Sequence, residues 1–376
     1  MEGRFDAIVL GVGAMGSAAC YHLARRGLKV LGIEQFEIGH DRGSSHGRSR
    51  VIRKAYFEDP RYVPLLHSAY RMWQELSEQQ GGGLIHLTGC LNLGPADHVC
   101  VAGARRSATE HELPFEALDC AEVKRRWPAL SPDADDVGIF ETDAGFLRPE
   151  ACIAAHVEAA TRRGCRFETS CRVVAWKAGG SAVLVETERG RFECGRLVIT
   201  AGPWLPQIVS VLGAPLRIER QVQAWFRPTA PGLVERGRLP VFIHFIGDRA
   251  FYCIPSFDES GLKAARHHGG AITTPEEVDR TIHPGDEAEV RAYLANHLPS
   301  ANGPMIGAEV CLYTNTPDEH FIIDWHPEHR GVLLAGGFSG HGFKFSPVVG
   351  QALSELAVDG RTPQPIEFLS LRRFTA

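Results

Sequence analysis

The pattern of hydrophobic and polar residues near the amino terminus predicts a strand–helix–strand unit. An apolar run at Ala7–Leu10 has the length of a buried strand, and the glycine-rich segment GVGAMG follows it directly. Helical spacing then covers Ser17–Arg26 and ends at Gly27, and a second apolar run, Lys29–Ile33, leads to Glu34. This order is typical of a doubly wound parallel sheet.

The same kind of pattern predicts further elements along the chain. Helices are expected at Val63–Gln80, Pro149–Arg163, Asp286–Leu298 and Val348–Val358. Strands are expected at Arg166–Ala175, Ala182–Glu188, Arg196–Thr200 and Gly331–Gly337. Between residues 218 and 325, the short runs VQAWFRP, PVFIHFIG, RAFYCIPSF and LKAARHH favour an antiparallel sheet.

Length and pattern together predict two discontinuous domains. A chain of 376 residues is longer than the ~250–300 residues that one hydrophobic core usually serves. We therefore expect an α/β fold with a Rossmann-like domain over residues 1–84, 149–217 and 326–376. An α+β domain over residues 85–148 and 218–325 is expected to hold a mixed, largely antiparallel sheet.

Composition and charge exclude several classes of protein. The chain is 44% hydrophobic and 23% charged with a net charge of −5, so it lacks the basic footprint of a nucleic-acid-binding protein. The apolar run Ile8–Cys20 is too short to span a bilayer, and no basic segment of a signal peptide precedes it. We therefore expect a cytoplasmic protein that is not associated with a membrane.

The cysteines and histidines do not follow a known metal-binding spacing. The 10 cysteines contain no CxxC pair, which argues against a zinc site and against a disulfide framework. His267–His268, and His320 with His326 and His329, lack the HExxH and carboxylate-triad spacings. The sequence therefore predicts reduced thiols and no metal.

The glycine motif of the amino-terminal unit predicts dinucleotide binding. Gly11 permits the turn, Gly13 lets the backbone approach a pyrophosphate, and Gly16 lets the helix pack closely on the strand. Glu34 follows the second strand, where a carboxylate suits a ribose hydroxyl and would repel a 2′-phosphate. The motif alone does not distinguish NAD from FAD.

A second informative segment lies near the carboxyl terminus, at residues 311–347. It contains a cysteine, an apolar strand, a glycine-rich turn with Lys344, and a helix start. Ser346 is expected to cap this helix, Pro347 to lie in its first turn and Gly360 to end it. The positive end of such a helix suits a group that becomes anionic, such as a reduced flavin.

A cluster of positive charge precedes the first predicted long helix. Arg48 and Lys54 are interpreted as solvated, whereas Arg50 and Arg53 lie among apolar residues. A guanidinium group in such a place requires an anion, and a substrate carboxylate bound through two hydrogen bonds would satisfy one of them.

The chain resembles the monomeric sarcosine oxidase family, whose secondary-amine oxidases include N-methyltryptophan oxidase, essentially from end to end. The resemblance rests on the segments GVGAMG, GSSHGRSRVIRKAY, AGPW, GLKAARHH, CLYTNTPDEHFIID and GFSGHGFKFSP. It implies FAD, an eight-stranded mixed sheet in the second domain, and a monomer. It also implies oxidation of sarcosine or a similar N-methyl amino acid to an imine by O2, giving H2O2, formaldehyde and the demethylated amino acid, glycine from sarcosine.

The resemblance also implies roles for individual residues. Cys311 would carry FAD as a thioether to the flavin 8α-methyl group. Arg53 and Lys344 would bind the substrate carboxylate, and Arg50 would lie near the flavin. Lys263 would lie at the reactive edge of the ring, where a cation stabilises charge that develops on O2.

Further residues follow from the same resemblance. Catalytic roles are expected for Lys263, Arg50, His267 and Tyr252, of which His267 and Tyr252 also shape the substrate pocket. The residues expected to bind FAD are Gly11, Gly13, Ala14, Met15, Gly16, Glu34, Ser44, Arg50, Val173, Gly202, Trp204, Cys311, Phe338, Gly340, His341, Gly342 and Lys344. His46 is expected to line the ring, and Val173 to contact adenine through its backbone.

Several alternatives remain open from the sequence. Ile243 and His244 fall where the family varies with substrate, and the loop Phe57–Tyr62 is expected to be an entry gate, so a bulkier or cyclic substrate such as N-methyltryptophan, pipecolate or proline is possible. The glycine motif with Glu34 also suits an NAD-dependent dehydrogenase. A flavin-binding protein without catalytic activity is a third alternative.

Overall fold

In the computed structural model, which describes residues 3–209 and 214–374, helices pack against three β-sheets. The helices are α1 Ala14–Arg25, α2 Val63–Gln79, α3 Val99–Glu110, α4 Cys120–Arg126, α5 Pro149–Thr161, α6 Leu205–Ile208, α7 Pro231–Val234, α8 Pro284–His297 and α9 Ser346–Asp359. Residues 1–2, 210–213 and 375–376, which fall in the predicted Rossmann-like domain, lie outside the described residues.

The strands follow in chain order. They are β1 Gly3–Leu10, β2 Val30–Ile33, β3 Arg50–Ile52, β4 Ile85–Leu87, β5 Cys90–Pro95, β6 Glu116–Asp119, β7 Asp136–Glu141, β8 Gly145–Leu147, β9 Arg166–Glu168, β10 Val173–Gly179, β11 Ala182–Thr187, β12 Gly190–Ile199, β13 Arg217–Phe226, β14 Val241–Ile246, β15 Arg249–Ile254, β16 Leu262–His267, β17 Ile272–Thr273, β18 Met305–Asn315, β19 Ile322–Trp325 and β20 Val332–Gly336.

The first sheet has the predicted doubly wound character. Its strand order is β10-β11-β12-β1-β2-β9, and β20 pairs with the second half of β12. The pairs β12–β1, β1–β2, β2–β9 and β12–β20 are parallel. The predicted strand–helix–strand unit is therefore confirmed as β1, α1 and β2, with β1 buried at the centre of the sheet.

The second sheet is mixed and largely antiparallel, as predicted. Its order is β17-β13-β16-β15-β14-β5-β7-β6, with β18 also paired to β13, and only β14–β5 is parallel. It has nine strands, one more than the resemblance implies, because two-residue β17 pairs with Ile218 and Glu219 at the start of β13. The strand β19 precedes the predicted boundary at residue 326, but it pairs with β20 of the first sheet. We therefore propose that the last domain boundary lies between β18 and β19.

A small third sheet connects the arginine-bearing segment to the second sheet. It pairs β3 with β8 and β8 with β4, and Arg50 lies opposite Leu147. The carboxylate of Glu141, at the end of β7, accepts hydrogen bonds from the amides of Lys54 (2.9 and 3.0 Å) and Ala55 (2.8 Å). Glu141 is buried, and this burial raises its pKa. A carboxylate of the second sheet thus fixes the backbone that follows β3.

Two local predictions differ from the structure. The strand expected at Arg166–Ala175 is divided into β9 and β10, because Ser170 has a φ of 47° and the chain turns there. Ser346 does not cap α9: a turn of 3-10 helix at Phe343–Phe345 leads straight into it, so Ser346 is its first residue. The side chain of Ser346 is buried without a hydrogen-bond partner. Gly360 ends the helix as predicted, with a φ of 73°.

Three helices form a layer on the first sheet, in which α1 contacts both α5 and α9 and packs on β1 and β2. This layer buries two histidines, His22 of α1 and His156 of α5. The His156 ring lies 5.2 Å from the ring of Trp73 and 5.8 Å from that of Tyr21. Burial lowers the pKa of His156 to about 3 and that of His22 well below its usual value, so both rings are neutral at pH 7.

Stability should fall as the pH decreases below about 6.5, the ordinary pKa of histidine. The unfolded chain takes up protons there, but the folded chain does not until much lower pH, so each buried histidine contributes up to about 1.4 kcal/mol per pH unit. His156→Leu should reduce the slope of unfolding free energy against pH between 6.5 and 5, measured by denaturant titration. His111→Leu, at the end of α3, is the control, and an equal change of slope in both variants would contradict the assignment.

Within the described residues, no helix is both long enough and apolar enough to cross a lipid bilayer.

Candidate active site

A large cavity is lined by residues of both main sheets and has a volume of about 960 Å³. Nearly all of the predicted site residues line it, although they come from distant parts of the chain. These are Gly11, Gly13, Ala14, Met15, Glu34, Ser44, Arg50, Arg53, Val173, Gly202, Trp204, Tyr252, His267, Cys311, Phe338, Gly340, His341, Gly342 and Lys344. Of the residues expected to act in catalysis or to bind FAD or substrate, Gly16 and Lys263 are absent from this lining.

One end of the cavity is formed by the glycine loop and the start of α1. Gly11 has a φ of 87°, which favours glycine. A Cβ atom on Gly16 would lie 1.8 Å from the carbonyl oxygen of Gly11, so only glycine lets α1 start this close to β1. The carboxylate of Glu34 accepts a hydrogen bond from the amide of Val12 at 2.8 Å and thereby fixes the loop.

This end has the donors that a pyrophosphate requires. The amide of Ala14 already donates to Ser45 Oγ at 3.3 Å, and the following amides of the first turn have no partner within the helix. The helix start also carries partial positive charge. Beside it, Glu34 lines the cavity at the end of β2, where it suits a ribose. The lining therefore fits the phosphates and ribose of a dinucleotide.

Cys311 and Arg50 lie together in another part of the cavity. Arg50 Nη2 is 3.6 Å from Cys311 Sγ and 3.1 Å from the carbonyl oxygen of Ser44, and Nη1 is 3.0 Å from Gln223 Oε1. Burial alone would lower the pKa of Arg50, but Cys311 and Tyr252 raise it, so the guanidinium stays charged. A permanent cation thus lies beside the one cysteine that the sequence singles out.

A buried ion pair lies where the substrate carboxylate was predicted to bind. The guanidinium of Arg53 donates to both oxygens of Glu58 at 2.7 Å, and it lies 3.9 Å from the ring centroid of Phe57. Arg53 is 2% exposed. The sequence interpretation missed Glu58, although an acidic residue in the predicted gate loop, five positions after a buried arginine, was an available signal. Arg53 is therefore a cation whose partner belongs to the gate loop.

Lys344 provides a second buried cation in this part of the cavity. Its Nζ donates to the carbonyl oxygen of His341 at 2.7 Å. Burial, and then the charge of Arg53, lowers the pKa of Lys344 to about 7. An anion that enters beside Arg53 would favour the protonated form of Lys344.

Uncharged polar side chains line the cavity near these cations. His267 Nδ1 lies 3.1 Å from the hydroxyl of Tyr313, a residue that the sequence did not single out. Burial, and then His268, lowers the pKa of His267 well below its usual value, so the ring is neutral. Burial raises the pKa of Tyr252, so its hydroxyl keeps its proton.

Lys263 supports the cavity wall from β16. It is 1% exposed, and its Nζ donates to the carbonyl oxygens of Gly47 (2.9 Å) and Ser49 (3.0 Å). Ser49 itself lines the cavity. Burial, and then the charge of Arg50, lowers the pKa of Lys263. The resemblance implies that Lys263 lies at the reactive edge of the flavin, on the cavity surface. In the structure it lies one residue layer behind that surface, with Ser49 in front of it.

Two expectations about the pocket need correction. Ile243 lines the cavity, but His244 does not, because successive side chains of β14 point to opposite faces of the sheet. His46 is also absent from the described lining, and it is buried with neither ring nitrogen in a hydrogen bond. The pocket is therefore shaped by Ile243 rather than His244.

Comparison with known proteins identifies the family. Residues 6–356 match the family described as FAD dependent oxidoreductase. The chain belongs to this family of FAD-dependent oxidoreductases. The predicted cofactor, FAD, and the prediction of a flavin enzyme are thereby confirmed, and the NAD-dependent alternative is not supported.

Curated relatives place the chain more narrowly among the FAD-dependent oxidoreductases. It is 42% identical to the monomeric sarcosine oxidase of Streptomyces avermitilis, over 100% of this chain and 99% of that protein. It is 37% identical to the N-methyl-L-tryptophan oxidase of Salmonella arizonae, over 96% of both. The predicted resemblance to the sarcosine oxidase group is therefore confirmed.

Solved structures of FAD-dependent oxidoreductases show the same fold. The L-proline dehydrogenase of P. horikoshii superimposes with a TM-score of 0.86 at 24% identity, over 100% of this chain and 99% of that one. At this identity the likeness shows the shared fold alone.

Proposed function

We propose that this flavoenzyme is an oxidase of sarcosine or a similar small N-methyl amino acid, with O2 as electron acceptor. The observation that carries the proposal is the pair of buried cations, Arg53 and Lys344, that line the same cavity as Cys311 and Arg50. The names of the curated relatives support this substrate class.

The substrate carboxylate would bind between Arg53 and Lys344. In the structure Nη2 of Arg53 donates to both oxygens of Glu58 and Nη1 donates to the carbonyl oxygen of Ala55, so an incoming carboxylate must displace Glu58 or share the guanidinium with it. A planar guanidinium suits this exchange, because a carboxylate can replace a carboxylate with the same two hydrogen bonds. The substrate nitrogen and its methyl group would then lie toward Tyr252 and His267.

The described side chains suit oxidation of a neutral amine. The neutral rings of His267 and Tyr252 add no anion beside the bound substrate nitrogen. Arg53 and Lys344 disfavour a positive charge on that nitrogen, an effect that the carboxylate of Glu58 offsets in part. Bound FAD supplies the two-electron acceptor chemistry, from which O2 yields H2O2. The demethylated product would be glycine, with formaldehyde, if sarcosine is the substrate.

We also propose that Cys311 carries FAD as a thioether to the flavin 8α-methyl group. The linkage removes the thiol proton, one methyl hydrogen and two electrons, which O2 takes up as H2O2. Sγ lines the cavity wall beside Arg50, and the fixed charge there stabilises electron density that moves onto the flavin. Membership of the FAD-dependent oxidoreductase family does not by itself imply a covalent bond between Cys311 and FAD.

The oligomeric state and the remaining contacts with FAD are also proposals. The Streptomyces relative is named as monomeric, and we propose a cytoplasmic monomer. Val173, Gly202 and Trp204 line the cavity. The amide of Cys171, two residues before Val173, donates to the carbonyl oxygen of Glu34 at 2.9 Å, and the Trp204 ring lies 5.5 Å from that of Phe36. We therefore propose that these three residues contact the adenosine half of FAD. Phe338 and Gly340 would lie along the flavin.

The purified protein should release H2O2 in air with sarcosine, measured by a peroxidase-coupled assay beside N-methyltryptophan, pipecolate and proline. Arg53→Gln should lower kcat/KM for sarcosine by ~10²-fold or more, because it removes a bidentate ion pair to the substrate. Arg48→Gln is the matched control, since the Arg48 guanidinium stacks on Trp225 outside the cavity lining.

Two outcomes would change the proposal. Release only with a larger or cyclic amine would retain the reaction and change the substrate, with Ile243 and Phe57 as the residues that set the pocket size. Flavin that no amine reduces would favour the flavin-binding protein without catalytic activity.

A further inference from the structure

We propose that a second site binds a Zn²⁺-class divalent metal ion through Asp133, His244 and His297, on the face of the second sheet turned away from the cavity. A carboxylate oxygen of Asp133 and one ring nitrogen of each histidine lie within 4.8 Å of one another. Among residues 3–209 and 214–374, this is the one such group of three or more His, Cys, Asp and Glu side chains.

The donor set matches the chemistry of zinc. Imidazole nitrogen and carboxylate oxygen are ligands that Zn²⁺ takes in tetrahedral sites, where ligand atoms lie roughly 3.3 Å apart. His244 is 1% exposed and fixed, whereas Asp133 is exposed and His297 is partly exposed. The exposed Asp133 side chain can therefore rotate inward and close the site around an ion that enters from solvent.

The histidines also have the outer partners that metal-bound imidazoles need. His297 Nδ1 lies 3.1 Å from the carbonyl oxygen of Ser131, which fixes the proton there and leaves Nε2 free for an ion. His244 Nε2 lies 2.9 Å from Asp136 Oδ2, and its Nδ1 lies 3.2 Å from the hydroxyl of Tyr293. Both ring nitrogens of His244 are thus in hydrogen bonds, so an ion must replace one of these bonds, and the other then holds the ring in place.

Asp136 also fixes the backbone position of Asp133, the third ligand. Its Oδ2 accepts a hydrogen bond from the amide of Asp133 at 2.8 Å, so one carboxylate orients both His244 and the turn that bears Asp133. Asp136 is 3% exposed. Asp136 does not belong to the group of three ligands, so its role is to orient them, and water completes the coordination of the ion.

The position of the ligands indicates a structural role. Asp133 precedes β7, His244 lies in β14 and His297 is the last residue of α8, so an ion would tie this helix to the sheet beneath it. Ile243, the neighbour of His244, lines the cavity on the other face. The sequence predicted no metal, because these ligands come from three distant segments and follow no spacing motif.

The site is tested on the purified holoprotein after dialysis against EDTA. Equilibrium dialysis against ZnCl2, with metal counted by mass spectrometry, should give one Zn²⁺ per chain, and the ion should raise the thermal midpoint. Asp133→Asn and His297→Gln should each weaken the affinity at least tenfold. Asp279→Asn is the matched control, because Asp279 contacts His283 at 2.6 Å on the surface without a third ligand.

The outcomes are separable from those for the oxidase activity, since neither the metal count nor the thermal midpoint depends on turnover. The two test substitutions change side chains that reach solvent, so folding is verified by the flavin absorption of each variant. One zinc per chain that persists in the Asp133→Asn/His297→Gln double variant would overturn the proposal. So would a wild-type affinity equal to that of the double variant.

Discussion

Replacing Lys263 by Met should slow reoxidation of the substrate-reduced enzyme by O2 by ~10²–10³-fold, the usual cost of removing one preorganised donor. The rate of flavin reduction should change by less than ~10-fold, because Arg53 and Lys344 remain to bind substrate. Lys263 Nζ is held behind the cavity wall by the carbonyl oxygens of Gly47 and Ser49, so its charge would act through that wall, without reorganisation, when negative charge develops on O2. Stopped-flow absorption at the flavin band separates the two steps.

Lys344→Met is the matched control for this experiment, since it also removes a buried lysine but from the carboxylate position. It should weaken substrate binding and leave reoxidation close to wild type. If Lys263→Met slows both steps equally, the lysine acts by holding the loop at Gly47 and not by stabilising charge on O2.

The same lysine should give reoxidation a characteristic pH dependence. Burial and the charge of Arg50 lower the pKa of Lys263. As the pH rises, Lys263 therefore loses its proton at a lower pH than an ordinary lysine does. The wild-type reoxidation rate should therefore fall as the pH rises through that pKa, and the Lys263→Met variant should lack this fall.

Cys311→Ala should release all of the bound FAD into the supernatant when the protein is precipitated with acid, whereas wild-type flavin should remain in the pellet. The thiol is 3% exposed, lines the cavity and lies 3.6 Å from the guanidinium of Arg50. Loss of the thioether also removes the constraint that holds the flavin, so activity should fall with the fraction of FAD bound. Absorption of the supernatant and the mass of the intact chain provide the measurements.

Cys171→Ala is the control for the linkage, because Cys171 is also buried and also lines the cavity. Its flavin should stay in the pellet. Extractable FAD in the wild-type protein would refute the covalent linkage and leave the oxidase proposal intact.

Much of the fold follows from local sequence pattern, because each predicted element depends on its own periodicity. The unit from Ala7 to Glu34 was predictable, since buried parallel strands are short apolar runs and the glycine loop has one geometry. The division of the strand after Arg166 was not, because the turn at Ser170 depends on tertiary hydrogen bonds to Phe36 and Glu34.

The site was predictable only in part, and for a physical reason. The spacing of the glycines in the loop after β1 indicates dinucleotide binding by itself. The sequence around Lys263 indicates no function, and the role of this residue was predicted from the resemblance alone. Glu58 was missed because its spacing from Arg53 is only a weak signal, and the ion pair itself depends on how the loop folds back onto the guanidinium. His244 was assigned to the pocket because one strand pattern is consistent with either face of the sheet until the register is known.

The hydrogen bonds of Glu141 have a consequence for protein engineering. The amides of Lys54 and Ala55 belong to the arginine-bearing segment, but the carboxylate that holds them comes from the end of β7. A chimaera that exchanges the second domain between two homologous enzymes would separate these partners, and the guanidinium groups would lose their alignment even with every arginine retained. Residues 50–55 and residues 141–147 of such a chimaera should therefore be taken together from one of the two enzymes.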